Sequence, residues 1–294
     1  MKDNTLMQIA NVLSVNAQKL PSPGLLEGKM GVAIFLYHYA RYSRKTTYGR
    51  LADYLIDEIL KSIYRKQMSF SNGLPGIGWG IKYLIKEDFI DGKDHFLDRL
   101  NNHIIRYIKT HEDENMLDGC LYLTFSQPEL LNDDLSPVFA KQFSLFLSSG
   151  VHPLATLNKL LAIVHHISNQ HLQPWYDMLL NAAIDATHTQ LFRHADLVIC
   201  KELLDTLDEK KVFPLCKILH DRCMSILSAN DFQSNLLETV WQRLVFFDRK
   251  DKNRCDFCRI STKITDILKD FNIQDMYLSR GLPAMGMEIL LVTK

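Results

Sequence analysis

Cysteine and histidine side chains are the residues of this chain that could bind a metal. Cys255 and Cys258 are three positions apart, which is half of a zinc-site spacing, and His220 with Cys223 could supply the other half. Four protein ligands would make a closed, structural site, because no position would remain for a substrate. Cys223 falls within a predicted helix, where cysteine is commonly a small buried hydrophobe. The sequence therefore favours no bound metal and no cofactor, with the structural zinc site as the alternative.

A second group of polar side chains surrounds the predicted start of a helix near residue 194. His188 and His194 flank this point together with Arg193 and Asp196, which could form an acid–base pair. The sequence places no nucleophile or metal ligand beside them. We therefore expect a charge cluster at a helix terminus.

Composition and charge narrow the classes of partner. The chain has 34 Lys and Arg residues and 34 Asp and Glu residues, so its formal net charge of zero favours neither nucleic acid nor an anionic membrane as partner. Residues 1–20 contain no apolar core of a signal peptide, and no run of 18 apolar residues occurs. The six cysteines are then expected to be reduced thiols. We predict a cytoplasmic protein.

Helical periodicity runs along most of the chain and predicts an all-α protein. Hydrophobic residues make up 47 % of the chain, which is enough for a sizeable core, and no linker divides it, so residues 1–294 are predicted to be a single domain. The predicted helices fall into two alternating series. The outer series covers residues 5–19, 48–66, 94–110, 134–149, 174–190, 210–228 and 260–271. The inner series covers residues 28–43, 74–87, 117–125, 152–168, 194–207, 234–248 and 281–292.

Three similar stretches precede or open inner helices: residues 28–33 (GKMGVA), 73–78 (GLPGIG) and 281–286 (GLPAMG). The first two begin 45 positions apart, and Gly28 and Gly281 are separated by six steps of about 42 residues, a period typical of helical-hairpin arrays. Small residues in a first helical turn let a neighbouring backbone approach, and Pro75 and Pro283 suit that turn. Seven helical hairpins are expected.

A recognition surface is predicted where these inner helices begin. If the inner helices run parallel, their N-termini and partial positive charges share one side. Glu27, Asn72 and Arg280 each precede a motif glycine and would line this side, with Trp79 one turn inside the second inner helix. A polar rim over an apolar bowl suits a peptide or a partner protein.

The motif-bearing stretches also resemble a known family. Residues 24–36 (GLLEGKMGVAIFL) are similar to the first repeat of the lanthionine synthetase C-like family, residues 71–80 (SNGLPGIGWG) to its second, and residues 279–286 (SRGLPAMG) to its last. The resemblance covers roughly residues 24–90 and 275–292. It implies an α/α toroid of about seven inner and seven outer helices.

The same resemblance implies a chemistry whose residues are missing here. Family enzymes add a cysteine thiol of a ribosomally made peptide across a dehydrated residue, with the thiolate held by zinc on two cysteines and one histidine. One of those cysteines directly precedes the histidine, and this chain contains no Cys-His dipeptide. Cys200 lies nearly two turns inside the fifth inner helix, too deep for the site.

The resulting hypothesis is a zinc-free, non-catalytic member of the family that binds a peptide or partner protein during ribosomal-peptide modification. Two alternatives stay open. The chain could be an active cyclase-like enzyme with an unrecognised site, or a carbohydrate-active α/α-barrel enzyme with paired carboxylates at the start of its inner helices.

Overall fold

The structure is a computed structural model of the 294-residue chain. It describes residues 2–62, 67–92, 95–111, 113, 115–132, 135–166, 173–208, 214–229, 239–247, 257–279 and 281–292. Within these ranges all regular structure is helical, with no strand, which confirms the all-α prediction. None of the helices in this part of the chain is long and apolar enough to cross a membrane.

Fifteen α-helices lie within the described ranges. In chain order they are α1 (Lys2–Asn16), α2 (Lys29–Ser43), α3 (Thr46–Ser62), α4 (Leu74–Lys86), α5 (His95–Thr110), α6 (Asn115–Ser126), α7 (Pro128–Asn132), α8 (Ser136–Ser148), α9 (Leu154–His166), α10 (Gln173–His188), α11 (His194–Asp208), α12 (Pro214–Ala229), α13 (Val240–Phe247), α14 (Phe257–Lys269) and α15 (Leu282–Val292). Two 3₁₀ helices, Ala17–Lys19 and Ile273–Met276, precede α2 and α15.

The predicted helices all have counterparts in this series. Helices α1, α3, α5, α8, α10, α12 and α14 correspond to the predicted outer series, and α2, α4, α6, α9, α11, α13 and α15 correspond to the predicted inner series. The names outer and inner are kept below for these two series. Only the short α7 was not expected. The predicted start of the sixth inner helix, at 234–238, lies outside the described residues, and α13 is described from Val240 onward.

The chain divides into two compact units. The first contains Met1–Leu100 and Val240–Lys294, and the second contains Asn101–Thr239, so one boundary falls within α5. Because the first unit joins the two ends of the chain, its packing brings residues of the first and last motifs together. The single domain over 1–294 stays a prediction.

Helices of the first unit pack in two neighbouring rows. The inner row runs α13, α15, α2 and α4, each in contact with the next, while α14, α1 and α3 form the outer row. Helix α2 packs on α3, and α15 packs on both α1 and α14. Residues from Met30 to Tyr39 of α2 are therefore buried on every side, whereas α3 buries only the stripe of Ala52, Leu55, Ile56 and Ile59.

The second unit repeats this arrangement. Its inner helices α6, α9 and α11 contact one another in that order, and α8, α10 and α12 do the same beside them. Tyr122 on α6 is fully buried, and its hydroxyl donates to Asn101 Oδ1 on α5 at 2.6 Å. The Asn101 amide oxygen thus gives the buried Tyr122 hydroxyl a partner on the adjacent helix.

Replacing Gly286 with alanine tests the close contact between α15 and α2. A Cβ at this position would lie 2.2 Å from Cε2 of the fully buried Phe35 ring, so we expect G286A to lower the free energy of unfolding by about 1–3 kcal/mol. Urea denaturation followed by circular dichroism measures this change.

Gly49→Ala is the matched control for that experiment. Gly49 lies in helix α3, and its added Cβ would meet only the Ala40 Cβ at 3.7 Å, an ordinary contact. We expect G49A to raise the free energy of unfolding by up to about 1 kcal/mol, because alanine favours the helix. Equal effects of the two substitutions would contradict the close-contact interpretation of Gly286.

Candidate functional site

Three segments precede the motif-bearing helices α2, α4 and α15, and backbone hydrogen bonds join them. We call residues 22–28, 67–73 and 275–279 the approach segments. The Leu26 amide donates to the Ser71 carbonyl at 2.9 Å, and the Ser279 amide donates to the Leu26 carbonyl at 3.2 Å. Each of these three residues lies two positions before the first glycine of its motif. Equivalent backbone positions therefore form one chain of hydrogen bonds.

A side-chain contact between approach segments and inner helices repeats in the same way. Leu25 precedes Gly28 by three positions and packs against Gly76 of α4, while Leu278 precedes Gly281 by three positions and packs against Gly31 of α2. A Cβ added to these glycines would lie 3.0 Å from Leu25 Cβ and 2.6 Å from Leu278 Cβ. The small fourth residue of the motif therefore makes room for a leucine of the neighbouring repeat.

Two of the predicted site residues, Glu27 and Asn72, lie together on this side of the first unit. Asn72 Nδ2 donates to Glu27 Oε2 at 2.9 Å, and the Ser22 hydroxyl donates to Asn72 Oδ1 at 3.2 Å. The Ser22 hydroxyl also accepts from the Gly24 amide at 3.1 Å. All three polar side chains are half-buried. They cross-link the first two approach segments.

Trp79, the third predicted site residue, is a buried residue of α4. It is 6 % exposed, and its ring stacks on that of Tyr83 at 5.1 Å between centroids. The Tyr83 hydroxyl hydrogen-bonds His38 Nε2 at 2.8 Å. Trp79 therefore belongs to a buried aromatic cluster. Arg280, the fourth predicted residue, lies outside the described residues.

The inner helices of the second unit also begin side by side. The Leu154 amide donates to the Leu191 carbonyl at 2.9 Å, which ties the start of α9 to the segment before α11. Asp196 accepts a hydrogen bond from the Arg193 amide at 2.9 Å and forms an ion pair with the Arg193 guanidinium at 3.1 Å. This pair lies where a charge cluster was expected. Asp196 is in the first turn of α11, and its carboxylate binds the backbone amide of the residue that precedes the helix.

A groove that sequence reasoning missed lies where α6 begins and α8 ends. Its volume is about 440 Å³. Met116 and Leu117 of α6 and Leu145 and Phe146 of α8 line it, and Asp113 lies at its rim. The only sequence signal for it was the presence of apolar residues near both helix ends, which helical periodicity does not distinguish from core positions.

The predicted metal ligands lie only partly within the described residues. The described residues include no cluster of three or more His, Cys, Asp or Glu side chains that could hold a metal ion. His220 Nε2 lies 3.2 Å from an Asp205 carboxylate oxygen, and Cys223 is fully buried. Cys255 and the side chain of Cys258 lie outside the described residues, so the four-ligand zinc site stays a hypothesis.

Comparisons of the sequence and the structure with known proteins found no match. The chain matches no model of a known protein family, no curated protein and no solved structure.

Asn72→Asp tests the cross-link between the first two approach segments. The substitution keeps the size of the side chain but turns the donor facing Glu27 into a second carboxylate. We expect the free energy of unfolding to fall by about 1–3 kcal/mol at pH 7. Protonation of one of the two carboxylates at acidic pH should recover part of this lost stability. Urea denaturation of N72D and the wild type at pH 7 and at pH 4.5 measures the difference.

Asn72→Ala is the control variant for this effect. It removes both hydrogen bonds without adding a charge, so its destabilisation should diminish much less on acidification than that of N72D, which also loses a repulsion between two carboxylates. If N72D and N72A show the same pH dependence, the Glu27 carboxylate is not the partner of residue 72 in solution.

Burial predicts that the described cysteines are unreactive. Cys120, Cys200, Cys216 and Cys223 are free thiols and are at most 3 % exposed, and burial raises the pKa of the Cys120 thiol to about 12. Alkylation requires a thiolate that the reagent can reach, and these buried sulfurs are shielded from it. We therefore expect iodoacetamide at pH 8 to leave these four residues unmodified in the folded protein and to modify them in guanidinium chloride. Peptide mapping by mass spectrometry gives the result. Rapid labelling of any of the four in the native state would contradict it.

Proposed function

We propose that this protein is a lanthionine synthetase C-like α/α toroid that binds a peptide or partner protein without zinc-dependent catalysis. In this proposal it serves as an accessory factor in the modification of a ribosomally made peptide. The bound chain would lie on the side where the inner helices begin.

The observation that carries the proposal is the repeated geometry of the approach segments. Ser279 before the last inner helix bonds to Leu26 before the first, and Leu26 bonds to Ser71 before the second. The segment before the last inner helix is therefore bonded to the segment before the first in the same way as that segment is bonded to the one before the second. Ser279 and Leu26 are far apart in sequence, whereas Leu26 and Ser71 are 45 residues apart. A closed ring of hairpins requires this relation, whereas an open superhelix places its terminal repeats apart. The relation supports the family resemblance of the three motifs.

Peptide binding is supported by the polar groups gathered at these helix starts. The N-termini of α2 and α4 lie beside each other and carry partial positive charge. The half-buried Glu27 and Asn72 side chains lie next to them. Backbone carbonyl groups and carboxylates of a peptide are suitable partners for such termini.

The zinc-free part of the proposal depends on the cysteines. Zinc-assisted thioether formation in the resembled family uses a cysteine and a histidine that are adjacent in sequence, and this chain contains no Cys-His dipeptide. Cys200, on the fifth inner helix, is fully buried in the second turn of α11. A metal that activates a substrate thiol needs ligands at a surface that the substrate can reach.

Binding and cyclisation of a dehydrated precursor peptide test this function separately. The peptide should carry a free cysteine, and a precursor gene beside a dehydratase gene near this protein's gene would identify the sequence to synthesise. We expect binding by fluorescence anisotropy, with no loss of iodoacetamide-reactive thiol in the peptide by mass spectrometry. The result should be the same with zinc sulfate and with a chelator.

Two results would contradict the proposal in different ways. Zinc-dependent loss of the peptide thiol, with unchanged peptide mass before alkylation, would show ring closure and identify an active cyclase. If the folded protein does not bind this precursor, the proposal that it takes part in modifying that peptide is wrong.

A further inference from the structure

The connecting segments next to the groove between α6 and α8 are shorter than the segments before the motif-bearing helices of the first unit. In the first unit the segments before α2, α4 and α15 span residues 17–28, 63–73 and 270–281, and the described parts of them pack against one another. In the second unit residues 111–114 alone connect α5 to α6, and residues 149–153 connect α8 to α9. Beside these short connections, residues from the first turn of α6 and the last turns of α8 line the groove.

The groove has a buried apolar floor and an exposed apolar wall. Met116 and Leu117 form the floor and are 1 % and 4 % exposed, whereas Leu145 on the wall is 50 % exposed. Phe146 is held in the wall by His152, whose ring stacks on it at 3.8 Å and whose Nε2 hydrogen-bonds the Phe146 carbonyl at 2.7 Å. An exposed leucine beside a rigid aromatic wall offers apolar area to a partner at low entropic cost.

The rim of the groove carries negative charge. Asp113 is exposed, and its carboxylate accepts hydrogen bonds from the Tyr107 hydroxyl at 2.5 Å and from the Met116 amide at 3.3 Å. Both donors are neutral, and the α6 N-terminus offsets only about half of a unit charge. The Asp113 carboxylate is therefore a charged acceptor at the rim with which a cation of a ligand can pair. Gln142 and Ser149, also on the groove, are suited to hydrogen-bonding a peptide backbone.

We propose that this groove docks a segment of a partner peptide that presents an apolar side chain beside a lysine or arginine. The apolar side chain lies against Leu145 and Phe146, and the cation pairs with Asp113. A volume of about 440 Å³ is in the range of sites that enclose several side-chain-sized groups and is far larger than a single ion requires. The inference rests on the proposed function in that it assumes a peptide ligand, and it adds the place and the chemistry of binding.

Two labelled octapeptides of opposite charge test the docking. One alternates lysine with leucine and the other alternates glutamate with leucine, and each carries fluorescein for anisotropy. We expect the lysine peptide to bind at least about tenfold more tightly than the glutamate peptide. Asp113→Asn should weaken the lysine peptide about two- to fivefold, because asparagine keeps the helix cap but removes the charge.

Further variants separate the apolar and the charged contributions. Leu145→Ala should weaken both peptides about five- to tenfold, since it removes apolar area from the wall. Gln142→Glu should strengthen the lysine peptide about two- to fivefold, since it adds a charge to the same groove. Ile218→Ala is the control: Ile218 is 52 % exposed on α12, does not line the groove, and should leave both affinities unchanged.

The remaining outcomes distinguish this inference from the proposed function. If the lysine peptide binds but D113N, L145A and Q142E leave its affinity unchanged, the groove is not the docking site, although peptide binding survives. If the dehydrated precursor binds and neither octapeptide does, only the chemistry assigned to the groove is wrong. A dimer in sedimentation that L145A dissociates would show that a second copy of this chain occupies the groove, which would overturn the inference.

Discussion

Backbone hydrogen bonds between irregular segments are the constraint on which the first unit depends. The approach segments have no regular structure over most of their length, so their buried amides and carbonyls need partners elsewhere. Leu26 is bonded on both sides: its amide donates to the Ser71 carbonyl, and its carbonyl accepts from the Ser279 amide. These bonds require close approach: a Cβ on Gly24 would lie 2.4 Å from Asn72 Cα. Within the motif, the fourth residue is small in both Gly31 and Gly76 because each lies against a leucine of a neighbouring approach segment.

This constraint also explains what the polar residues beside the motifs do. Glu27, Asn72 and Ser22 hydrogen-bond one another and thereby hold two approach segments in register. Their side chains stabilise the surface on which the inner helices begin, and a ligand there would meet an already organised set of groups. Such preorganisation lowers the entropic cost of binding. In the second unit an apolar groove lies beside short connections.

The four cysteines in the described part of the chain, Cys120, Cys200, Cys216 and Cys223, are buried free thiols. Catalysis through a zinc-bound thiolate needs ligands in the metal-accessible, deprotonated form. Cys120 lies in an apolar interior that raises its thiol pKa to about 12, and Cys200 and Cys223 are fully buried between α11 and α12. In these positions cysteine contributes to packing as a small hydrophobe.

The sequence by itself determined the helices and the places where the inner helices begin. Hydrophobic periodicity is a local signal, and so are Gly73 with Pro75 and Gly281 with Pro283 at the start of α4 and α15. These features depend on a few neighbouring residues, so they can be recognised without knowing the fold. The equivalence of the three motifs was visible for the same reason.

Only the tertiary structure decided what the side chains at those positions do. Glu27 and Asn72 are 45 residues apart, and their hydrogen bond exists because α2 and α4 pack together. Trp79 is buried in the folded protein and stacks on Tyr83 one turn further along α4. From the sequence, a tryptophan near a helix start looks equally suited to binding a ligand. The groove beside Asp113 arises from the ends of two helices that the sequence separates. Contacts between distant segments depend on the packing of whole helices, which local patterns do not specify.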